Sequence, residues 1–221
     1  MLKINSIAPD FEARTSHGDI SFHDWLGDSW GVLFSHPKDF TPVCTTELGS
    51  LAKLKTEFEK RNVKVIGLSV DSVDDHIKWL EDIKDVTGQK PDYPIIADEA
   101  LQVAKKYNML EADAGTSSIG RTAVDNETVR TVFIIRPDKR IGLYLTYPMA
   151  TGRNFLEILR AIDSMQLTAT FKVATPADWQ QGEDVIIVPA VKDDEAKKLF
   201  PNGWNAVKPY LRKVADPSKK K

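Results

Sequence analysis

Gly31-Val-Leu-Phe-Ser-His-Pro-Lys-Asp-Phe-Thr-Pro-Val-Cys-Thr-Thr-Glu-Leu48 passes from a compact apolar run, through a proline-marked connection, into a helical pattern. The run from Gly31 to Ser35 has the character of a buried strand. Thr41-Pro42 is a helix start signal: Thr41 is placed to cap the helix, and Pro42 suits its first position because the missing N–H would be unpaired there anyway. Cys44, the only cysteine in 221 residues, falls in the first turn. Unpaired amides and the helix dipole favour a thiolate at such a position and can lower a cysteine pKa from about 8.5 by one or more units. A free cysteine is equally at home as a small buried hydrophobe, and the local sequence leaves both readings open.

Working outward, the Cys44 helix carries Leu48, Leu51, Leu54 and Phe58 as an apolar stripe and stops near Asn62. Upstream, Ile20-Ser-Phe-His-Asp-Trp25 alternates and reads as part of an N-terminal hairpin, closed by the turn Gly27-Asp-Ser-Trp-Gly31. Downstream, Val63 to Val70 is a strand rich in β-branched residues, and Asp71-Ser72 caps a helix with Val73, Ile77, Leu80 and Ile83 at helical spacing. Pro94 to Ala97 is a short strand, and Asp98 caps a helix running to about Tyr107. Val129 to Arg136 and Arg140 to Thr146 form a strand pair joined at Pro137-Asp138, and Asn154 to Gln166 is a helix with Phe155, Ile158, Leu159, Ile162 and Met165 on one face. Between Glu111 and Glu127 lies a polar stretch long enough to be a functional loop or a mobile excursion.

This alternation predicts an α/β protein with a mixed central sheet, helices on both faces and a thioredoxin-like arrangement over residues 1–167. After Thr168 the character changes. Val173 to Trp179 and Gln181-Gly-Glu183 look irregular, Val185 to Val188 is a strand and Asp193 to Phe200 a short helix. This C-terminal extension, 168–221, is expected to be too small to hold a core alone, to pack on its own main domain or on a second subunit, and to fray at Ser218-Lys-Lys-Lys221.

Composition narrows the function. Thirty basic against 32 acidic residues lack the excess that binding a phosphate backbone needs, so nucleic acid is not an expected partner. No apolar run approaches the roughly 20 residues that cross a bilayer, so no integral membrane association is expected. Met1 to Asp10 has neither the apolar core of a secretory signal nor an Arg-rich transit character. One cysteine permits no intrachain disulfide, and the expected location is cytoplasmic. A single thiol and four scattered histidines offer no metal-ligand spacing, so no metal is expected.

Pro37-x-x-x-Thr41-x-x-Cys44 resembles the active-site signature of the peroxiredoxins. The longer stretch Phe34 to Leu48, with Tyr147-Pro, Thr151-Gly-Arg-Asn-Phe155, Leu167-Thr168 and Val173-Ala-Thr-Pro176, is similar to the one-cysteine, peroxiredoxin-6 branch, a likeness running from about Pro9 to Tyr210. The resemblance implies a thioredoxin fold with a C-terminal extension. It implies reduction of hydrogen peroxide and organic hydroperoxides, phospholipid hydroperoxides included, through attack of the Cys44 thiolate on the O–O bond to give a sulfenic acid.

In this light Thr41 would hold a peroxide oxygen and Pro37 would shield the site. Arg130, which alone reads as a solvated charge at a strand end, would reach the cysteine, stabilise the thiolate and orient peroxide. Arg153 and Glu47 would form an ion pair supporting Arg130. His36 would line the site, or be a neutral packed histidine. With Cys44 alone, reduction must come from outside, in the family from a small thiol such as glutathione or a thiol-delivering protein, with no bound cofactor. The family also implies a homodimer.

Three other readings stay open. Gly27-Asp-Ser29-Trp-Gly31, His23 and Asp138 match residues assigned in this branch to a phospholipase A2 activity, although a nucleophile elbow wants a helix after its serine and here an apolar strand follows. A cysteine hydrolase would take His17, His23, His36 or His76 as its base. A redox-sensing dimer module would use Cys44 oxidation only to change assembly.

Overall fold

The apolar run at Gly31 sits at the centre of the architecture. In the computed structural model, residues 2–126 and 130–219 are described. Contacts divide the chain into two compact units, Met1–Phe155 and Leu156–Lys221.

The first unit is a seven-stranded mixed sheet. Its strands are β1 (Glu12–Thr15), β2 (Gly18–Ser21), β3 (Trp30–Ser35), β4 (Val63–Ser69), β5 (Ile95–Ala97), β6 (Thr131–Ile135) and β7 (Ile141–Thr146), in the order β2-β1-β5-β4-β3-β6-β7. β3 is buried along its whole length because it runs parallel to β4 on one side and antiparallel to β6 on the other. A strand shielded on both faces has no polar face to show, which is why it reads as a continuous apolar run.

Helices α1 (Phe22–Leu26), α2 (Pro42–Lys53), α3 (Lys55–Lys60), α4 (Val73–Thr87) and α5 (Gln102–Lys106) complete the unit. The hairpin β1–β2 forms, but Phe22 to Leu26 is helical rather than a continuation of the alternating strand. Phe22 and Leu26 lie four residues apart, so one helical turn buries both. The helix expected to run unbroken from Cys44 to Asn62 is interrupted at Leu54, whose N–H bonds to Leu51 O at 3.0 Å in the tighter i→i−3 pattern.

α4 starts as its sequence predicts, with Ser72 Oγ accepting from Asp75 N, and ends at Gly88 in the left-handed conformation that glycine adopts without strain. Its buried face is rotated from the expected stripe: His76, Trp79, Leu80 and Ile83 are inside and Ile77 is exposed. α2 and α4 approach closely at Gly49, where an added Cβ would come within 2.5 Å of the Thr87 side chain. Asp98 caps α5, its carboxylate accepting from the N–H groups of Gln102, Val103 and Ala104.

The strand expected from Val129 begins in the described residues at Thr131, and Val129 itself lies outside them. The polar stretch after Glu111 is pinned within its described part. Asn126 is buried and donates to Pro37 O at 2.9 Å, and Arg121 bonds to Asn126 Oδ1 and Ala114 O.

The second unit contains α6 (Phe155–Thr170), α7 (Asp193–Leu199) and a four-stranded sheet of β8 (Val173–Ala174), β9 (Val185–Ile187), β10 (Asn205–Lys208) and β11 (Leu211–Val214), ordered β10-β11-β9-β8. Contrary to expectation it holds an apolar cluster of its own. Leu167 at the end of α6 joins Trp179, Val185, Ile187, Val191, Phe200 and Val214. Lys220 and Lys221 of the expected frayed end lie outside the described residues.

Candidate active site

The carboxyl end of β3 and the start of α2 bring the sequence-predicted residues together. β3 ends at Ser35, and the chain turns through buried His36 and Pro37 to reach α2. Within this turn Phe40 takes a positive φ of 56°, a conformation that costs a non-glycine residue of order 1–3 kcal/mol and is held where its surroundings over-determine it. Thr41 stands at the N-cap, but its hydroxyl donates to Lys38 O at 2.9 Å instead of accepting from the helix. The expected side-chain cap is therefore absent. The hydroxyl instead pins the loop, and the first amides of α2 are left without a side-chain acceptor.

Cys44 is buried at 1% exposure. Antiparallel pairing of β3 with β6 sets Phe34 opposite Val132, Thr131 N donates to Ser35 Oγ at 3.1 Å, and Arg130 is the residue just before β6. Arg130, itself 2% exposed, donates from Nη2 to Cys44 Sγ at 3.4 Å and from Nη1 to Glu47 Oε2. Glu47 lies one helical turn after Cys44 on α2 and also takes Arg153, through Nε at 2.9 Å, Nη2 at 2.7 Å and the backbone N–H at 2.7 Å. Arg153 Nη1 donates to Ser35 O at 2.7 Å, and its guanidinium lies over the rings of Phe34 and Phe155.

Two guanidinium cations thus share one carboxylate, all three buried, beside a sulfur. An unopposed charge is costly away from water, and an anion at the sulfur would balance this group.

Behind the loop lies a second buried network that the sequence did not reveal. Asp39 Oδ1 bonds to His36 Nε2 at 2.7 Å and Asp39 Oδ2 to His76 Nδ1 at 2.6 Å, while His76 Nε2 bonds to Ile96 O at 3.1 Å. The Asp39 N–H donates to Asp71 Oδ2, which also takes the Ser69 hydroxyl, and Lys38 donates to Asp71 Oδ1 at 2.6 Å. Burial by itself pushes the Asp39 carboxyl up, but the hydrogen bonds from His36 and His76, backed by the His76 charge, outweigh it and bring it down from 3.8 to about 2. Burial pushes His76 down, and its bond to Asp39 reverses that to a net upward shift. Donor atoms of His36, Asp39 and Asp71 come within 4.8 Å of one another, as metal ligands would, but hydrogen bonds among themselves and with Lys38 already engage them. The detectable signal was His76, a polar residue three before Trp79 on the apolar face of α4.

The residues matched to phospholipase activity are engaged elsewhere. Ser29 Oγ donates to Asn62 Oδ1 at 3.0 Å, His23 Nε2 bonds to Ala8 O at 2.9 Å, and Asp138 pairs with Arg136 and Arg140. Ser29 ends the turn between α1 and β3, and no helix follows it.

The AhpC/TSA family model matches residues 4–143, and a model of the C-terminal domain of 1-Cys peroxiredoxin matches residues 164–203. The chain belongs to the AhpC/TSA family, the peroxiredoxins, and is a thiol peroxidase on a thioredoxin-like fold. Within that family it is of the 1-Cys, peroxiredoxin-6 type. It is 54% identical over 99% of its length to 1-Cys peroxiredoxin of Dictyostelium discoideum, covering 87% of that protein. It is 53% identical to peroxiredoxin-6 of Gallus gallus, over 98% of each. Among solved structures, the yeast mitochondrial 1-Cys peroxiredoxin, studied for thiol resolution via glutathione/thioredoxin systems, matches with a TM-score of 0.91 and 53% identity, over 97% of this chain and 100% of that one. A cysteine-to-serine mutant of peroxiredoxin 6 from Arenicola marina matches with a TM-score of 0.86 and 49% identity, over 99% and 100%. Among the described residues, no helix is long and apolar enough to cross a membrane.

Proposed function

We propose that this chain reduces hydrogen peroxide and organic hydroperoxides at Cys44 and that an external thiol returns the sulfur to its reduced state. The observation that carries this reading is the buried group of Cys44, Arg130, Glu47 and Arg153, with its cationic surplus against the sulfur.

The Cys44 thiolate attacks the terminal peroxide oxygen. The S–O bond forms as the O–O bond breaks, and the departing alkoxide or hydroxide takes up a proton, leaving a sulfenic acid and releasing alcohol or water. Arg130 is already bonded to the sulfur and to Glu47, and its Nε is a buried donor with no partner among the described residues, so it is supplied to hold a peroxide oxygen. Thr41, fixed by Lys38 O, offers its oxygen to the peroxide hydroxyl. Pro37, held by Asn126, walls off water. Glu47 and Arg153 keep the Arg130 guanidinium in place.

One cysteine leaves no second thiol in the chain to condense with the sulfenic acid. A first external thiol forms a mixed disulfide with loss of water, and a second releases Cys44 and a disulfide product. A small thiol such as glutathione is the proposed donor, in a reducing cytosolic compartment. The chain acts as a homodimer, for which β7, the last strand of the large sheet, offers the part of its outer edge beyond Ile141, whose own N–H and C=O are bonded to Ser6 and Asn5.

Stopped-flow mixing with hydrogen peroxide tests the assignment. Cys44→Ser is expected to abolish rapid reduction, and persistence of wild-type turnover in that variant would refute it. Light scattering at micromolar concentration is expected to report a dimer.

A further inference from the structure

Among the described residues, two buried side-chain nitrogen or oxygen atoms have no hydrogen-bond partner: Arg130 Nε and His36 Nδ1. Buried polar groups are nearly always paired, so each exception asks for an explanation. The first belongs to the guanidinium on Cys44. The second belongs to a ring held from behind with unusual completeness.

Donor and acceptor chemistry fixes the protons of that support. Ile96 O can only accept, so His76 Nε2 carries hydrogen. His76 Nδ1 faces an ionised carboxylate, which also only accepts, so Nδ1 carries hydrogen too and the ring is an imidazolium. Asp39 is its counter-ion, and Lys38 with Asp71 is a second balanced pair tied to the Asp39 backbone. The remaining Asp39 oxygen accepts from His36 Nε2. A neutral His36 therefore has its proton on Nε2 and a lone pair on Nδ1.

Position links this lone pair to the reaction. β3 pairs with β6 as far as Phe34 and Val132, Thr131 N donates to Ser35 Oγ at 3.1 Å and Arg153 Nη1 spans Ser35 O and Thr131 O, so His36 and Arg130 are the next residues on either side of one joint, with Arg130 on Cys44 Sγ. The His36 ring also packs on Trp79, with centroids 5.1 Å apart, and Trp79 Nε1 donates at 3.2 Å to Thr45 Oγ1, next in the chain to Cys44.

We propose that Asp39 and His76 are positioning residues for peroxide reduction: through Asp39 they hold His36 as the Nε2–H tautomer, so that its Nδ1 lone pair, alongside the Thr41 oxygen, accepts a hydrogen bond from the hydroxyl of the bound peroxide. The hydrogen bond turns the hydroxyl-bearing oxygen toward the sulfur, and no bond is made or broken at His36. This rests on the reading of Cys44 as the peroxide-reducing thiol.

The test compares two reactions of the same sulfur: stopped-flow reduction of hydrogen peroxide, and alkylation by iodoacetamide, which offers no hydroxyl to orient. In Asp39→Asn and His76→Gln the peroxide rate constant is expected to fall about 10- to 100-fold, in the range of a lost orienting or proton-handling group, while alkylation stays near wild type. A purely structural role would slow or speed both together, and that result, or an unchanged peroxide rate, overturns the proposal. Nitrogen-15 NMR of the histidine rings in the reduced wild-type protein decides the tautomer even if a variant fails to fold. Expected are an unprotonated Nδ1 on His36 and two protonated nitrogens on His76, and a protonated His36 Nδ1 overturns the proposal. Failure of the underlying reading is distinct, because the wild-type protein would then not consume peroxide rapidly.

Discussion

Each unit of the molecule buries arginine, and the two do so differently. In the second unit Arg212 is 7% exposed and fully provided for. It donates to Asp193 at 2.7 Å and to the carbonyls of Val188 and Val191, and lies over the Trp204 ring. Its carboxylate partner is 69% exposed, so water shares the charge. In the first unit Arg130 and Arg153 depend on one carboxylate with 2% exposure, and one guanidinium donor has no partner. Burial of an arginine is thus not itself the mark of a site. The mark is a surplus of positive charge and donors that the protein leaves unmet beside a nucleophile.

The largest way to break this contrast is to remove the shared anion. Glu47→Ala leaves two buried guanidiniums unopposed and is expected to cost about 3–5 kcal/mol of stability, read from urea unfolding at neutral pH. Loss of less than that would mean water reaches the cluster. Next comes the pair Arg130→Ala and Arg212→Ala. The first is expected to slow peroxide reduction by about 10²–10³-fold, as loss of one preorganised donor does, with the circular dichroism spectrum unchanged. The second leaves two backbone carbonyls without a donor and is expected to cost about 1–3 kcal/mol of stability while the peroxide rate constant of the folded protein stays the same. If both slowed the reaction equally, the distinction between the two arginines would collapse.

The smallest effect concerns pH. Asp39 has its folded pKa lowered from 3.8 to about 2, so it contributes stability that is present above about 4 and is lost as pH falls toward 2, about 2 kcal/mol in all. His76 is shifted the other way: its contribution is complete below 6.5 and fades as pH rises through its raised folded value. Thermal melts across pH should show both limbs, and Asp39→Asn should flatten the acid one.

How far the sequence spoke depended on whether the physics was local. The apolar run at Gly31 and the Thr41-Pro42 start made β3, α2 and the place of Cys44 legible. Asp98 and Ser72 announced their helices because capping acts within a few residues. Arg130 was not legible as a site residue, since an arginine before a strand is ordinarily solvated, and only the family resemblance singled it out. Asp39 and His76 lie 37 residues apart in sequence, and only the packing of α4 beside the β3–α2 loop joins them. The rotated face of α4 was the missed clue: reading Ile77 as inside concealed that His76 is buried instead. The core of the second unit was missed because β10 is exposed throughout and β11 buries an arginine beside Val214, which leaves little apolar pattern, and because Leu167 belongs to a helix read with the first domain.

Under the proposed mechanism, the charge count around Cys44 also bears on what happens when peroxide is in excess. A sulfenic acid carries no charge, so the first oxidation withdraws the anion that balanced Arg130, Arg153 and Glu47. A second oxidation, to the sulfinate, returns a negative charge to the same place and adds oxygen acceptors for the unmet donors. The site is therefore a better electrostatic host for the inactivated sulfur than for the intermediate of its own cycle, and the cationic surplus that arms the enzyme also stabilises its dead end.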